Sequence, residues 1–116
     1  MINDLNVDKL VRDTLLTVDV PVERLYYGGK ATEYITFQLI IRRNINFADD
    51  DETAKEYVYG ADIFSKGDFT TLLDRVEVAL KNAGFNNIEV NAETYEETTG
   101  FYHVSIEFNF IKYLEV

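Results

Sequence analysis

The chain has 116 residues, a formal net charge of −10 and no cysteine. A chain of this length can bury one hydrophobic core, so a single domain covering residues 1–116 is expected. Without cysteine, disulfides and thiolate metal sites are excluded, and the negative charge argues against binding to nucleic-acid phosphates, which depends on clustered Lys and Arg.

Neither a membrane anchor nor a secretion signal is visible. No apolar run approaches the ~20 residues that a membrane-spanning helix needs. The first ten residues contain neither the basic flank nor the apolar centre of a signal peptide. We therefore expect a protein that is made in the cytoplasm and does not bind a membrane.

The first predicted elements are a helix over residues 4–18 and a short strand over residues 20–26. One helical face carries Leu10, Val11, Leu15 and Val18. Either Asn3 or Asn6 can cap this helix, because both precede it closely. Pro21 prevents helical continuation and favours an edge position for the strand.

A hairpin turn is predicted next, at Tyr27, Gly28, Gly29 and Lys30, because paired glycines tolerate the positive φ of tight turns. The second strand covers residues 34–44, and its alternation places Ile35, Phe37, Leu39 and Ile41 on one face. After a loop that contains four consecutive acids, Asp49, Asp50, Asp51 and Glu52, a third strand is predicted over residues 55–64. Gly60 within this strand indicates a bulge or a close backbone approach.

The clearest element is a helix over residues 69–84. Its apolar face repeats at helical spacing and consists of Phe69, Leu72, Leu73, Val76, Ala79, Leu80 and Ala83. Asp68 is placed to cap its N-terminus, and Gly84 is placed to end it in a left-handed conformation.

Two further strands follow. The fourth covers residues 86–95, with Ile88, Val90 and Ala92 predicted to point inward, and a hairpin over residues 96–100 leads to the last strand. There Tyr102, Val104, Ile106, Phe108 and Phe110 alternate with polar residues, which favours a central position in the sheet. The order α-β-β-β-α-β-β predicts a two-layer α+β sandwich, with a mostly antiparallel sheet and both helices on one of its faces.

The sequence offers little for catalysis. His103, the one histidine, shares a polar strand face with Ser105 and Glu107, but residues two apart on a strand are separated by about 6.6–7 Å. That spacing is too wide for the hydrogen-bonded relay that activates a nucleophile. The acidic run at residues 49–52 lacks the ligand spacing and the glycine of a calcium-binding loop. We therefore predict a protein without enzymatic activity, metal or cofactor.

Aromatic residues favour an interaction surface. Eight tyrosines are many for this length, and tyrosine is enriched at protein–protein contacts, because it buries area and keeps a polar tip. Because the net charge is negative, a protein partner is favoured over a nucleic acid. Packing at the edge of the core accounts for several of these tyrosines without any partner.

The chain as a whole resembles the small tail-completion or tail-terminator proteins of siphophages and prophages of Gram-positive bacteria. The resemblance lies in the order of the elements and in the short stretches VPV (20–22), YITF (34–37), ADIFSKGDF (61–69), AGF (83–85) and EETTGFYH (96–103). It covers nearly the full chain. Other small virion neck proteins share this pattern.

The resemblance implies a virion protein without catalytic residues, made in the cytoplasm of the host bacterium. Such proteins form a ring, usually of six subunits, that caps the head-proximal end of the tail tube and joins the tail to the head. The partners implied are further copies of the chain, the tail tube protein and a head-completion or connector protein.

Two hypotheses about sites follow from this resemblance. The acidic run Asp49, Asp50, Asp51 and Glu52 faces the lumen of the ring or a partner ring, where its charge repels DNA phosphates. The turn at Tyr27, Gly28, Gly29 and Lys30 and the hairpin at Glu96, Glu97, Thr98 and Thr99 contact neighbouring subunits.

Other functions remain open. The chain can instead be another head–tail connector or neck protein. It can also be a small acidic binding module, such as an inhibitor or a DNA mimic, with Glu89, Glu93 and Glu107 spread over one face. An enzyme is the weakest alternative, because no nucleophile, metal cluster or cofactor loop is apparent.

Overall fold

The computed structural model of the chain describes residues 6–45 and 54–113. Its elements in chain order are α1 (Val7–Leu16), β1 (Val22–Arg24), β2 (Glu33–Ile45), β3 (Ala54–Ser65), α2 (Phe69–Asn82), β4 (Asn86–Glu96) and β5 (Phe101–Tyr113). The predicted order and the α+β class are confirmed. The acidic run at residues 49–52 lies outside the described residues. Within the described residues, neither helix is long and apolar enough to cross a bilayer.

The five strands form one sheet in the order β1-β2-β3-β5-β4. All neighbours are antiparallel except β1 and β2, which are parallel. The interior position predicted for β5 is confirmed, since it lies between β3 and β4, while β3 occupies the centre. The strand at one edge, β1, is short, as the proline at position 21 suggested.

The helix α2 forms as its sequence predicts. Leu72, Val76 and Leu80 are buried against the sheet. The carboxylate of Asp68 accepts a hydrogen bond from the backbone N–H of Thr70. At the other end the backbone N–H of residue 85 donates to the carbonyl of residue 80 at 3.0 Å, and residue 84 has φ +96°. This is the Schellman arrangement, and it ends the helix.

The helix α1 differs in detail from its prediction. Asn6 is the cap, and its side-chain oxygen accepts from the backbone N–H of Lys9; Asn3 lies outside the described residues. Thr14 is buried beside the predicted apolar residues, because its hydroxyl donates to the carbonyl of Leu10 at 2.7 Å and so leaves no free polar group.

The predicted hairpin between the first two strands is wrong. Because β1 and β2 are parallel, residues 25–32 return the chain to the end of the sheet where β1 began. Leu25 turns the chain with φ +68°, whereas neither Gly28 nor Gly29 has positive φ. Before the turn, the N–H of Leu25 donates to the carbonyl of Phe37 at 2.9 Å. A sequence-based turn assignment does not distinguish a hairpin from a return loop.

A bulge at Ile40 changes which residues of β2 face the core. Leu39 pairs with Tyr59, but Ile41 pairs with the very next residue of β3, Val58. The alternation therefore shifts by one residue after Leu39. Ile41, predicted to lie on the core face, is 41% exposed on the other side.

Gly60 lies opposite this irregular part of β2. A Cβ there would come within 3.0 Å of the tips of Gln38 and Ile40. The glycine thus allows both side chains to lie across the strand, which confirms the close approach predicted at this position.

The predicted inward residues of β4 are confirmed only in part. Ile88 packs against the core, but Val90 is 43% exposed and Ala92 is exposed as well. The register with β5 shifts twice, between residues 86 and 89 and between residues 90 and 93. As an edge strand with irregular pairing, β4 cannot keep a regular buried face.

Candidate functional site

The sheet has one face covered by the helices and one without a helix, which we call the open face. On β5, Val104 and Ile106 belong to the core. Because side chains alternate along a strand, the side chain of His103, which directly precedes Val104, points to the open face. His103 pairs with Phe64 of β3, and Phe64 pairs with Tyr34 of β2. One row of aromatic side chains therefore crosses three strands.

These rings stack on one another. The centroids of Tyr34 and Phe64 are 4.6 Å apart, and those of Phe64 and His103 are 4.5 Å apart with ring planes at 6°. Tyr27, from the loop after β1, stacks on Tyr34 at 4.4 Å. We call Tyr27, Tyr34, Phe64 and His103 the aromatic stack. Such offset contacts add to the stabilisation that the buried area provides.

The position of Tyr27 explains a glycine. Its hydroxyl accepts a hydrogen bond from the backbone N–H of Ala31 at 3.0 Å. A Cβ at Gly29 would overlap the phenol ring of Tyr27. A glycine is therefore needed at position 29 because the Tyr27 ring approaches it closely. The prediction from the sequence, that this glycine is needed for positive φ, is wrong.

Phe101 stands edge-on to the stack and closes a pocket. Its ring is 5.4 Å from Tyr34 at 76° and 6.3 Å from Phe64 at 89°. The Lys66 ammonium lies 5.0 Å from the ring centroid of Phe101. The cavity has a volume of about 260 Å³ and is called the aromatic pocket. Its lining residues are Tyr34, Phe64, Thr94, Glu96, Thr99, Phe101 and His103.

Glu96 gives the pocket a negative charge. The pKa of Tyr34 is raised, first by burial and then by the charge of Glu96 and the neighbouring Tyr27. A phenol in this position stays neutral at physiological pH. The pocket thus combines aromatic walls with one carboxylate.

The two turns that were predicted from the sequence to contact other subunits meet at this end of the open face. Tyr27 from the first turn belongs to the stack, and Glu96 and Thr99 from the hairpin line the pocket. The other five predicted residues, Gly28, Gly29, Lys30, Glu97 and Thr98, do not line it. Whether any of these eight residues contacts another subunit stays a prediction.

Asp62 organises the polar residues beside the stack. Its Oδ1 accepts a hydrogen bond from the Ser105 hydroxyl at 2.6 Å and lies 2.8 Å from His103 Nε2. Both partners use the same oxygen, so the serine proton goes to the carboxylate and not to the imidazole. This differs from the nucleophile relay, in which the histidine takes the serine proton. Sequence reasoning missed Asp62 because the pairing of β3 with β5 was unknown.

A second polar cluster lies further along the open face. Glu56 accepts hydrogen bonds from Arg43 Nε and from Asn109 Nδ2, both at 2.7 Å. These bonds lower the pKa of Glu56, with that from Arg43 the largest cause. Across the described residues, no group of three or more His, Asp or Glu is arranged to hold a metal ion.

On the helix side, a polar cavity of about 350 Å³ opens beside α1. There the Tyr59 hydroxyl donates to Asp8 at 3.0 Å, and Arg24 Nε lies 3.6 Å from the same carboxylate. The pKa of Tyr59 is raised by its burial and then by Asp8. Arg42 also lines this cavity. Within residues 6–45 and 54–113 the side chain of Arg42 forms no hydrogen bond, ion pair or ring contact.

Comparisons with known proteins identify a fold. The sequence matches no protein-family profile and no curated protein. Among solved structures, the chain is similar to one from the "Virion of native gene transfer agent (GTA) particle", with a TM-score of 0.53 and 10% identity. The likeness covers 90% of this chain and 92% of the other. At this identity it shows a shared fold.

Proposed function

We propose that this chain is a non-enzymatic structural protein of a phage-like virion. The observation that carries the proposal is the fold match to a virion chain over 90% of this protein. Because the match spans nearly the whole of both chains, it concerns the complete arrangement of helices and strands. Fold alone does not determine function, so the exposed features of the molecule must also suit such a role.

The surface chemistry suits a protein that binds other proteins. The hydrogen bonds around Asp62 hold two strands together and do not form a nucleophile relay. The open face offers an aromatic pocket instead, and aromatic residues are enriched at protein–protein contacts. We infer that the open face meets other virion components.

Within the virion, the finer proposal is a tail terminator. In that role copies of the chain form a ring of six subunits at the head-proximal end of the tail tube and join the tail to the head. Its partners are neighbouring copies, the tail tube protein and a head-completion or connector protein. The resemblance of the sequence to tail-completion proteins supports this assignment over another neck protein.

The acidic run Asp49, Asp50, Asp51 and Glu52 is proposed to face the lumen of this ring or a partner ring. A lumen through which DNA slides must not retain phosphates, and carboxylates repel them. Replacing the four acids with Ser and Lys should slow DNA passage or impair the joining of tails. Unchanged infectivity would contradict this placement.

Deletion of the gene from its phage or prophage tests the proposed function. We expect separate heads and tails, or tail tubes of uncontrolled length, and recovery when the wild-type chain is supplied. Purified protein added to isolated tubes should be captured at one tube end, which electron microscopy with labelled protein can show. Normal particles after deletion would exclude the role.

A small acidic binding module is the second candidate. Glu89 and Glu107 are direct cross-strand partners, and like charges opposite one another destabilise a sheet. A partner that binds these two carboxylates would account for the loss of stability at this position. However, Glu93 pairs with Val104, which lies on the core side of the sheet. The three acids therefore do not share one face. Capture of a DNA-binding protein, with no binding to tail tubes, would favour this alternative.

A further inference from the structure

The aromatic pocket has the shape and charge for one planar cation. The stack runs from Tyr27 to His103, and on the far side of His103 its cross-strand partner is Thr94 of β4. This small residue leaves space beside the imidazole ring, whose side chain is 34% exposed. Glu96, two residues further along β4, supplies a carboxylate at the same place.

An arginine side chain fits this combination best. Its flat guanidinium stacks on aromatic rings and pairs with carboxylates, which the compact ammonium of lysine does less well. The cavity of about 260 Å³ is smaller than the roughly 300–1,000 Å³ typical of small-molecule sites. It therefore suits a single side chain better than a free ligand.

The chain itself carries a candidate. Four of its five arginines are engaged within the molecule: Arg12 lies over the Phe37 ring, Arg24 and Arg43 pair with Asp8 and Glu56, and Arg75 donates to the carbonyl of Val18. Arg42 is the remaining arginine. It is exposed and has no such partner within the described residues.

The bulge at Ile40 determines where Arg42 points. After the bulge, Arg42 pairs with Tyr57 and lines the cavity on the helix side. Tyr34 lies on the open face, eight residues earlier and roughly 25 Å away at the usual rise of a strand. Arg42 therefore cannot reach the pocket of its own chain. A bulge that re-aims one side chain is a common device at functional positions.

We propose that Arg42 of one copy inserts into the aromatic pocket of the next copy, where its guanidinium stacks on His103 and pairs with Glu96. The contact joins two different surfaces of the same chain. Such head-to-tail contacts generate a closed ring when the rotation between subunits closes. The inference rests on the proposed ring and names the residues that hold it together. With a net charge of −10 on each copy, the subunits repel one another, and an attractive ion pair between them opposes this repulsion.

Sedimentation velocity of the purified chain over a range of concentrations tests the contact. Wild-type protein should self-associate, and R42E or E96R alone should weaken the association constant by about tenfold or more. The double variant R42E/E96R should regain part of it, because the pair is restored with opposite polarity. R42K should lie between wild type and R42E, since it keeps the charge and loses the planar stack.

Matched controls separate this contact from general charge effects. Lys81→Glu alters the net charge as R42E does, and Glu77→Arg alters it as E96R does; both control residues lie on α2, and neither lies at the proposed contact. Both controls should associate like wild type. Circular dichroism establishes that each variant is folded.

The outcomes distinguish this inference from the proposed function. A wild-type chain that stays monomeric, or one whose association survives both R42E and E96R, overturns the Arg42 contact. The virion role is judged separately, by particle formation after deletion of the gene. Loss of association in both variants together with normal particles in the deletion strain would support the contact and exclude the virion role.

Discussion

Gly29 lies so close to Tyr27 that a Cβ at position 29 would overlap the hydroxyl group and the ring carbons of the tyrosine. Gly29→Ala should therefore displace Tyr27 from its stack on Tyr34 and break its hydrogen bond with Ala31. We expect a loss of about 1–3 kcal/mol in the free energy of unfolding. Urea denaturation measures this change.

Gly67→Ala is the control for that substitution. A Cβ at Gly67 meets nothing within 4 Å, and its φ is not positive. We expect a change within about 0.5 kcal/mol. Equal destabilisation by both alanines would show that the contact with Tyr27 is not the cause.

The core between α2 and the sheet should depend strongly on Leu80, which has no exposed surface. Leu80→Ala should lower the free energy of unfolding by about 2–5 kcal/mol, since the cavity it leaves collapses only partly. Val78→Ala on the same helix should cost less than about 1 kcal/mol, because Val78 is 57% exposed. Thermal or urea unfolding of both variants checks the contrast.

Glu56 should make stability depend on pH. Its pKa in the folded chain lies below the ordinary value of 4.5, because Arg43 and Asn109 donate hydrogen bonds to it. The stabilisation that the ionised Glu56 carboxylate provides is therefore fully present above pH 4.5, and it is lost as the pH falls through the folded-state pKa. Glu56→Gln should cost about 1 kcal/mol at pH 7 and reduce the loss of stability between neutral pH and acid.

Urea titrations at several pH values measure this dependence. Glu97→Gln at the exposed hairpin serves as the control and should change stability at pH 7 by less than about 0.5 kcal/mol. A Glu56→Gln profile that runs parallel to the wild-type profile at all pH values would contradict the assignment.

Ser105 should be dispensable for function. Its hydroxyl proton is directed to Asp62, so Ser105→Ala should leave particle assembly at the wild-type level. The loss of one hydrogen bond should cost about 1 kcal/mol of stability. Assembly in complemented deletion strains provides the measurement. If the folded variant failed to assemble, a chemical role for this serine would have to be considered.

Much of the local structure could be predicted because its causes are local. The helical spacing of Leu72, Val76 and Leu80, the cap at Asp68 and the stop at Gly84 all lie within one stretch, and the structure agrees with each. The alternation in β5 likewise revealed its core face. In both cases side chains close in sequence share one environment, so the pattern suffices.

The candidate site depended on pairings between distant residues. The turn at residue 27 and the hairpin at residue 96 were each predicted as a contact site from their own local sequence. Only the order of the strands brings Tyr27 and Glu96 to one end of the sheet. Asp62 was missed because it contacts His103 on another strand, 41 residues away in the chain. No local pattern records such a contact.

By itself, the sequence determined which segments become helices and strands, and which of their faces are apolar. The tertiary structure decided that β1 runs parallel to β2, that the bulge at Ile40 turns Arg42 towards the helix side, and that β4 is an exposed edge. The physical reason is the register between strands. It depends on hydrogen bonds between distant residues, and a shift of one residue exchanges the two faces of a strand.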